Sequence, residues 1–314
     1  MKWRVLVTCP HLQRTIDHYR DWLAEQGVEI EVPSLVQQLS EEELLEMIPR
    51  FDGVIAGDDP FTERVLEKGE RLQVIAKWGI GLDAIDQTAA KHLGIHVCNT
   101  PDVFADEVAD VTIGYMILLV RQLHQLDRAV RRGEWIKIPG QSLKGKTLGV
   151  IGVGSIGRAT IERATVMGMK VLGYDVATVP EDFVAKTQLQ LVELDTLLKQ
   201  SDFISLHCNL TSDNYHLLGK REFSLMKPGS YLINTARGAL IDEDALVDAL
   251  QQKRLAGAAL DVFETEPLPQ QHPLRQFDNC IFGTHNASNT EEAVDRVNQM
   301  AIDNLLKGLQ EGSK

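Results

Sequence analysis

Three glycines and one acid carry the most specific chemistry in this chain of 314 residues. Gly152, Gly154 and Gly157 stand in a G-x-G-x-x-G run with Ser155 and Ile156 inside it, and Asp175 follows near the spacing of about 20 residues at which an acid meets a ribose. In such a run the first glycine makes a tight turn, the second lets the backbone approach a pyrophosphate, and the third packs a helix onto the sheet. The amides of Ser155 and Ile156 would open that helix, where unpaired donors and the helix dipole favour an anion. A carboxylate at Asp175 would accept from the ribose hydroxyls of NAD and repel the 2′-phosphate of NADP, and Val176 and Ala177 after it supply no cation. The pattern therefore predicts a dinucleotide site that prefers NAD.

For these residues to work, residues 148–153 must form a strand buried on both faces, a helix must run from the glycines to Met167-Gly168, and residues 170–175 must form the next strand. The rest of the chain alternates in the same way. Residues 3–8, 28–32, 53–56, 72–76 and 95–98 read as short strands, with helical patterns at 15–26, 62–68 and 84–93. Ser40-Glu41-Glu42-Glu43 has the form of a capping box, in which serine and the third-following glutamate satisfy each other's backbone donors. A break falls at Asn99-Thr100-Pro101, and residues 103–126 read as one long, largely apolar helix. After the glycine run, strands are expected at 203–207, 230–234, 257–262 and 279–282, with helices at 217–223 and 242–251, and an amphipathic helix at 291–309. Strands alternating with helices predict an α/β chain of two doubly wound parallel sheets.

The length suffices for two cores. A net charge of −13 argues against a nucleic-acid or anionic-membrane partner. Cys9, Cys98, Cys208 and Cys280 lie far apart and form no C-x-x-C pair, so no metal site is expected and a reducing, cytoplasmic setting is implied. The apolar run after Met1-Lys2-Trp3-Arg4 is too short for a signal peptide or a membrane span.

Five features, in order along the chain, carry a resemblance. They are Lys77-Trp78-Gly79-Ile80-Gly81-Leu82-Asp83, the glycine run, His207-Cys208-Asn209-Leu210-Thr211, residues 226–238 ending in Asn234-Thr235-Ala236-Arg237-Gly238, and residues 260–267 from Leu260-Asp261 to Glu266-Pro267, followed by His285. Through them the chain resembles the D-2-hydroxyacid dehydrogenases over nearly its full length. The resemblance implies a flavodoxin-like substrate domain made from residues 1–100 and 287–314, an inserted Rossmann domain at 101–286 that binds NAD, a cleft between them, and a homodimer built on the long helix. It also implies a catalytic set of Arg237, Glu266 and His285. Histidine titrates near working pH and can carry the proton of a keto/hydroxy interconversion, a glutamate beside it favours and orients the imidazolium, and arginine offers a planar fork that can bind a carboxylate or polarise the keto oxygen. Glu264 is the rival for Glu266, which directly precedes Pro267 as in the family. Asp261 is implied to meet the nicotinamide carboxamide, with Thr235, Ala236 and His207 near the cofactor. Lys77, Trp78 and the Gly79-Ile80-Gly81 loop would hold the substrate, the loop through backbone amides arranged as an anion-binding nest.

Two departures from the family pattern stand out. Asn209 replaces a proline, and Thr284-His285-Asn286-Ala287-Ser288 lacks the proline and glycines usual around the histidine. Lys77 sits where phosphoglycerate dehydrogenases often place a cation, with His92 and Lys137 near other phosphate positions, which points to 3-phosphoglycerate. Glyoxylate or hydroxypyruvate reduction is the close alternative. An NAD-sensing interaction protein of the same fold is the alternative from another class, and retention of Arg237, Glu266 and His285 together argues against it.

Overall fold

Short apolar runs separated by helices build two all-parallel sheets. The computed structural model describes residues 2–312, and the chain clusters into two units, one formed by the chain up to Val103 together with Thr290 onward, the other by residues 104–289.

In the first unit the elements are β1 (Trp3–Val7), α1 (Pro10–Gln13), α2 (Asp17–Glu25), β2 (Val28–Glu31), α3 (Glu41–Met47), β3 (Gly53–Ala56), α4 (Glu63–Lys68), β4 (Val74–Lys77), α5 (Gln87–His92) and β5 (His96–Cys98). Their strand order is β2-β1-β3-β4-β5, every pair parallel. This is the flavodoxin-like order, in which ligands sit beyond the carboxyl ends of the strands. Strands β3 and β4 are buried at every position, as expected of strands covered on both faces. The capping box forms as the sequence requires, with Glu43 N donating to Ser40 Oγ and Ser40 N donating to Glu43 Oε2 at 2.8 Å.

The second unit contains α6 (Ala105–Arg121), α7 (Leu123–Arg131), β6 (Thr147–Ile151), α8 (Ser155–Val166), β7 (Lys170–Tyr174), α9 (Glu181–Thr187), β8 (Gln190–Leu191), α10 (Leu194–Gln200), β9 (Phe203–Leu206), α11 (Lys220–Leu225), β10 (Ser230–Asn234), α12 (Glu243–Gln251), β11 (Leu255–Leu260) and β12 (Cys280–Phe282). The sheet runs β12-β11-β10-β9-β6-β7-β8, so the direction of winding reverses between β6 and β9. A dinucleotide binds at the crevice made by that reversal. One core on each face closes the sheet, with Leu206, Leu232 and Leu246 on one side and Val150, Ile161 and Met116 on the other.

The last helix, α13 (Glu291–Glu311), returns to the first unit and packs on β3 and β4. Its buried residues Val297, Ala301 and Leu305 recur at helical spacing, and Gly308 lets the helix sit on Val74, 2.5 Å from where a Cβ would lie.

Two expectations differ from the structure. The apolar stretch 103–126 is broken at Gln122, whose φ of 53° ends α6 and starts α7 in a new direction. The period of the apolar residues continues across that point, so hydrophobic spacing alone cannot reveal the turn. The short elements α1, α9, β8 and α10 also escaped a reading based on longer periodic runs.

Candidate active site

The glycine run forms the turn between β6 and α8, and each glycine has a distinct reason to be one. Gly152 has φ +94°, and a Cβ there would lie 2.5 Å from Cys208 N. Gly157 faces inward, with its Cβ position 2.0 Å from Gly152 O. Gly154 is different, because nothing lies within 4 Å of its Cβ position. The first and third glycines are thus required by the fold, and the second borders open space in front of the α8 N-terminus. No side chain caps α8, which leaves the amides of its first turn, Ser155 and Ile156 among them, for an anion. A cradle of this shape fits the pyrophosphate of NAD.

Asp175 follows the end of β7 and is half-buried. Its Oδ2 accepts from Val153 N at 2.6 Å and its Oδ1 from Ala177 N at 2.8 Å. The acid therefore ties the glycine turn to the adjacent strand end. Val176 beside it is 93% exposed and brings no charge.

His207 follows β9 next to Gly152. Its Nε2 lies 2.8 Å from Ser205 Oγ, while its Nδ1 is sealed from solvent without a hydrogen-bond partner. Although part of the residue reaches the surface, burial of the ring pushes its pKa down to about 3, so the imidazole stays neutral.

Beyond β10 the chain turns through Thr235, Ala236 and Arg237, and the fully buried Asn234 shapes that turn. Asn234 Oδ1 accepts from Ala236 N at 3.0 Å, and its Nδ2 donates to Arg237 O at 2.8 Å. Thr235 Oγ1 lies 3.3 Å from Thr112 Oγ1 of α6. Arg237 Nη1 donates to Ala236 O at 2.8 Å. Gly238 is obligatory, since a Cβ would fall 1.9 Å from Phe263 C in the neighbouring loop.

That neighbouring loop carries Glu266. Its Oε1 accepts from Phe263 N at 2.9 Å and its Oε2 lies 2.8 Å from His285 Nδ1. Of the two glutamates weighed in the sequence, Glu266 is the one on His285. Glu264 lies 2.9 Å from His216 Nε2 instead and exchanges amide-to-carboxylate bonds with Glu243, whose carboxylate in turn meets His272 at 3.0 Å. His285 adopts φ 54° and its amide donates to Asp261 O at 2.6 Å. Asp261, only 2% exposed, accepts on Oδ2 from Ala287 N at 2.8 Å and on Oδ1 from Tyr115 Oη at 3.3 Å. Asp261 thus holds the histidine segment on both sides. Tyr115 and Gly283 were not singled out in the sequence, and the bond from Tyr115 to Asp261 joins a helix to a strand end 146 positions away.

In the first unit the predicted substrate loop follows β4. Gly79 takes φ +123°, its amide donates to Thr100 Oγ1 at 3.0 Å, and Ile80 O accepts from Asn99 Nδ2 at 2.7 Å. The amides of Ile80 and Gly81 find no acceptor among the described residues. Trp78 is buried, stacks on His11 and donates from Nε1 to Asn298 Oδ1 at 2.7 Å. Lys77 is 4% exposed, and its ammonium donates to Asp58 Oδ1 at 2.9 Å and to Trp78 O at 3.1 Å. His92 ends α5 on the surface, and Lys137 is exposed in the segment after α7.

Residues 113–287 match the model of the NAD binding domain of D-isomer specific 2-hydroxyacid dehydrogenases. The chain belongs to that family. It is accordingly an NAD-dependent dehydrogenase of 2-hydroxy acids. It is 40% identical to a glyoxylate reductase of Thermofilum pendens, over 86% of this chain and 82% of that one. It is 39% identical to a D-3-phosphoglycerate dehydrogenase of Methanocaldococcus jannaschii, over 98% of this chain but only 57% of the longer relative. Among solved structures it resembles D-lactate dehydrogenase of Aquifex aeolicus complexed with NAD and lactic acid, with a TM-score of 0.86 and 29% identity, covering 98% of this chain and 97% of the other.

Proposed function

We propose that the chain reduces small 2-keto acids to D-2-hydroxy acids, with His285 as the proton donor, Glu266 as its orienting partner and Arg237 as the binder of the substrate carboxylate. The observation that carries this reading is the 2.8 Å contact between Glu266 Oε2 and His285 Nδ1. A carboxylate on Nδ1 stabilises the imidazolium and fixes the ring, so that Nε2 is the nitrogen that delivers a proton to the carbonyl oxygen and removes it in the reverse direction. When bound, NADH supplies the hydride. Asp261 would receive the nicotinamide carboxamide, with Thr235, Ala236 and His207 beside it, and the free amides of Ile80 and Gly81 would receive substrate oxygens as a nest.

For the substrate, the pairing of Lys77 with Asp58 favours a small acid of the glyoxylate or hydroxypyruvate class. A phosphate at Lys77 would have to displace or share the carboxylate already on its buried ammonium. NADH oxidation followed with glyoxylate, hydroxypyruvate, pyruvate and phosphohydroxypyruvate tests this. Faster turnover of the unphosphorylated acids is expected, whereas a strong preference for phosphohydroxypyruvate that is lost in Lys77→Ala would make 3-phosphoglycerate the substrate.

The chain is further proposed to act as a cytoplasmic homodimer. In support, its four cysteines are unpaired. An apolar trough on α6 and α8, lined by Ile113, Gly114, Ile117, Val166 and Met167, leaves Val166 89% exposed. Light scattering should give twice the chain mass, and Val166→Glu should halve it.

A further inference from the structure

Asp261 holds the His285 segment at two points, through its own carbonyl to the His285 amide at 2.6 Å and through its carboxylate to the Ala287 amide at 2.8 Å. His285 sits at φ 54°, a left-handed conformation that a residue with a side chain keeps only when its surroundings impose it. What holds the Asp261 carboxylate in turn is the α6 helix. Tyr115 Oη donates to Asp261 Oδ1 at 3.3 Å, and Gly283 leaves room for the meeting, since a Cβ there would lie 1.8 Å from Asp261 Oδ1 and 2.5 Å from Tyr115 Oη. Both groups that reach the carboxylate are neutral donors, so the loss of either is felt directly by a buried charge. Burial, and then the charge of Asp261, keep the Tyr115 phenol protonated far above its ordinary range, so it serves as a donor at any working pH.

We propose that Tyr115 is a positioning residue for the proton-transferring histidine, acting through Asp261. The hydroxyl fixes the carboxylate rotamer, the carboxylate fixes the Ala287 amide, and together with the Asp261 carbonyl this clamps the segment that presents the imidazole. The proposal rests on the reading that His285 carries the proton.

The test is a cycle of Tyr115→Phe, Asp261→Asn and the double variant in the full chain. It compares kcat with NADH and hydroxypyruvate, NADH affinity by fluorescence, the melting temperature and the His285 imidazole resonances. Tyr115→Phe keeps the ring and its packing, so the chain should still fold, with a melting temperature lower by a few degrees and NADH affinity moved less than kcat, which falls about tenfold as the buried carboxylate gives up one donor. The His285 resonances should move, and the double variant should be no slower than Asp261→Asn alone. Wild-type kcat in Tyr115→Phe, unmoved His285 resonances, or losses that multiply in the double variant would each overturn the proposal. His285→Ala separates the two readings. If it keeps full activity, the assignment of the proton donor fails; if it loses activity while Tyr115→Phe does not, only the role of Tyr115 fails.

Discussion

Two alanine substitutions three positions apart should have opposite consequences, because the second and third glycines of the β6–α8 turn face different surroundings. In Gly157→Ala the new methyl would start 2.0 Å from Gly152 O, a backbone atom that cannot rotate away. An ordinary C···O contact is about 3.3 Å or more, so the helix start or the turn must shift by over an ångström. Overpacking of this kind costs about 1–3 kcal/mol, offset by up to about 1 kcal/mol of helix propensity gained over glycine. The net loss of about 1–2 kcal/mol corresponds to a melting temperature lower by about 2–8 °C for a unit of this size. In Gly154→Ala the methyl meets nothing within 4 Å, and the backbone at φ −71°, ψ −162° suits alanine. Stability should therefore stay within about 1 kcal/mol of wild type. The methyl instead enters the space in front of the α8 amides, and NADH affinity should fall at least about tenfold, or about 1.4 kcal/mol. Thermal melting and NADH fluorescence titration on the two variants read both quantities. Wild-type NADH affinity in Gly154→Ala, or a wild-type melting temperature in Gly157→Ala, would refute the division of roles.

Three further outcomes follow from the same geometry. Glu266→Gln keeps the shape but removes the charge on His285, and kcat for keto-acid reduction should fall about 10- to 100-fold, the worth of a hydrogen bond to a charged group, with NADH affinity unchanged; an unchanged kcat would remove Glu266 from the proton-transfer unit. Asp175→Ala should lower the ratio of kcat/KM for NADH over NADPH, and it should also loosen the glycine turn, since Val153 N loses its acceptor; a fixed ratio would show that the carboxylate does not select the cofactor. Because His207 has a folded pKa near 3, below the ordinary value of 6.5, the unfolded chain binds the extra proton first, and stability falls as pH drops below about 6.5 by up to about 1.4 kcal/mol per pH unit. Urea unfolding of wild type and His207→Gln between pH 5 and 7 checks this, the variant losing part of that slope.

The legibility of this protein in its sequence divides by distance along the chain. The glycine turn, α8 and Asp175 lie in one continuous stretch whose local rules are strict, so spacing alone announces them. The proposed catalytic trio could be named only through resemblance, because Arg237, Glu266 and His285 belong to three different strand-end loops and nothing local marks an arginine, a glutamate or a histidine as chemical. Contacts decided by packing were invisible. Lys77 looked like a loop cation open to a phosphate, yet it is buried against Asp58 from the end of β3. Nothing in the sequence marks Gly283, yet the Asp261 carboxylate and the Tyr115 hydroxyl occupy the space its side chain would need. The break at Gln122 belongs to the same class, since only the surroundings of α6 and α7 require a left-handed residue there.

The central claim is that His285 carries the proton of a hydride-transfer reaction. The measurement that tests it most directly is kcat for NADH-dependent reduction of hydroxypyruvate by His285→Ala, with NADH affinity determined on the same sample. The account predicts a kcat lower by about 10²- to 10⁴-fold, the usual contribution of a general acid, with NADH still bound as in wild type. Full turnover by the variant would contradict it.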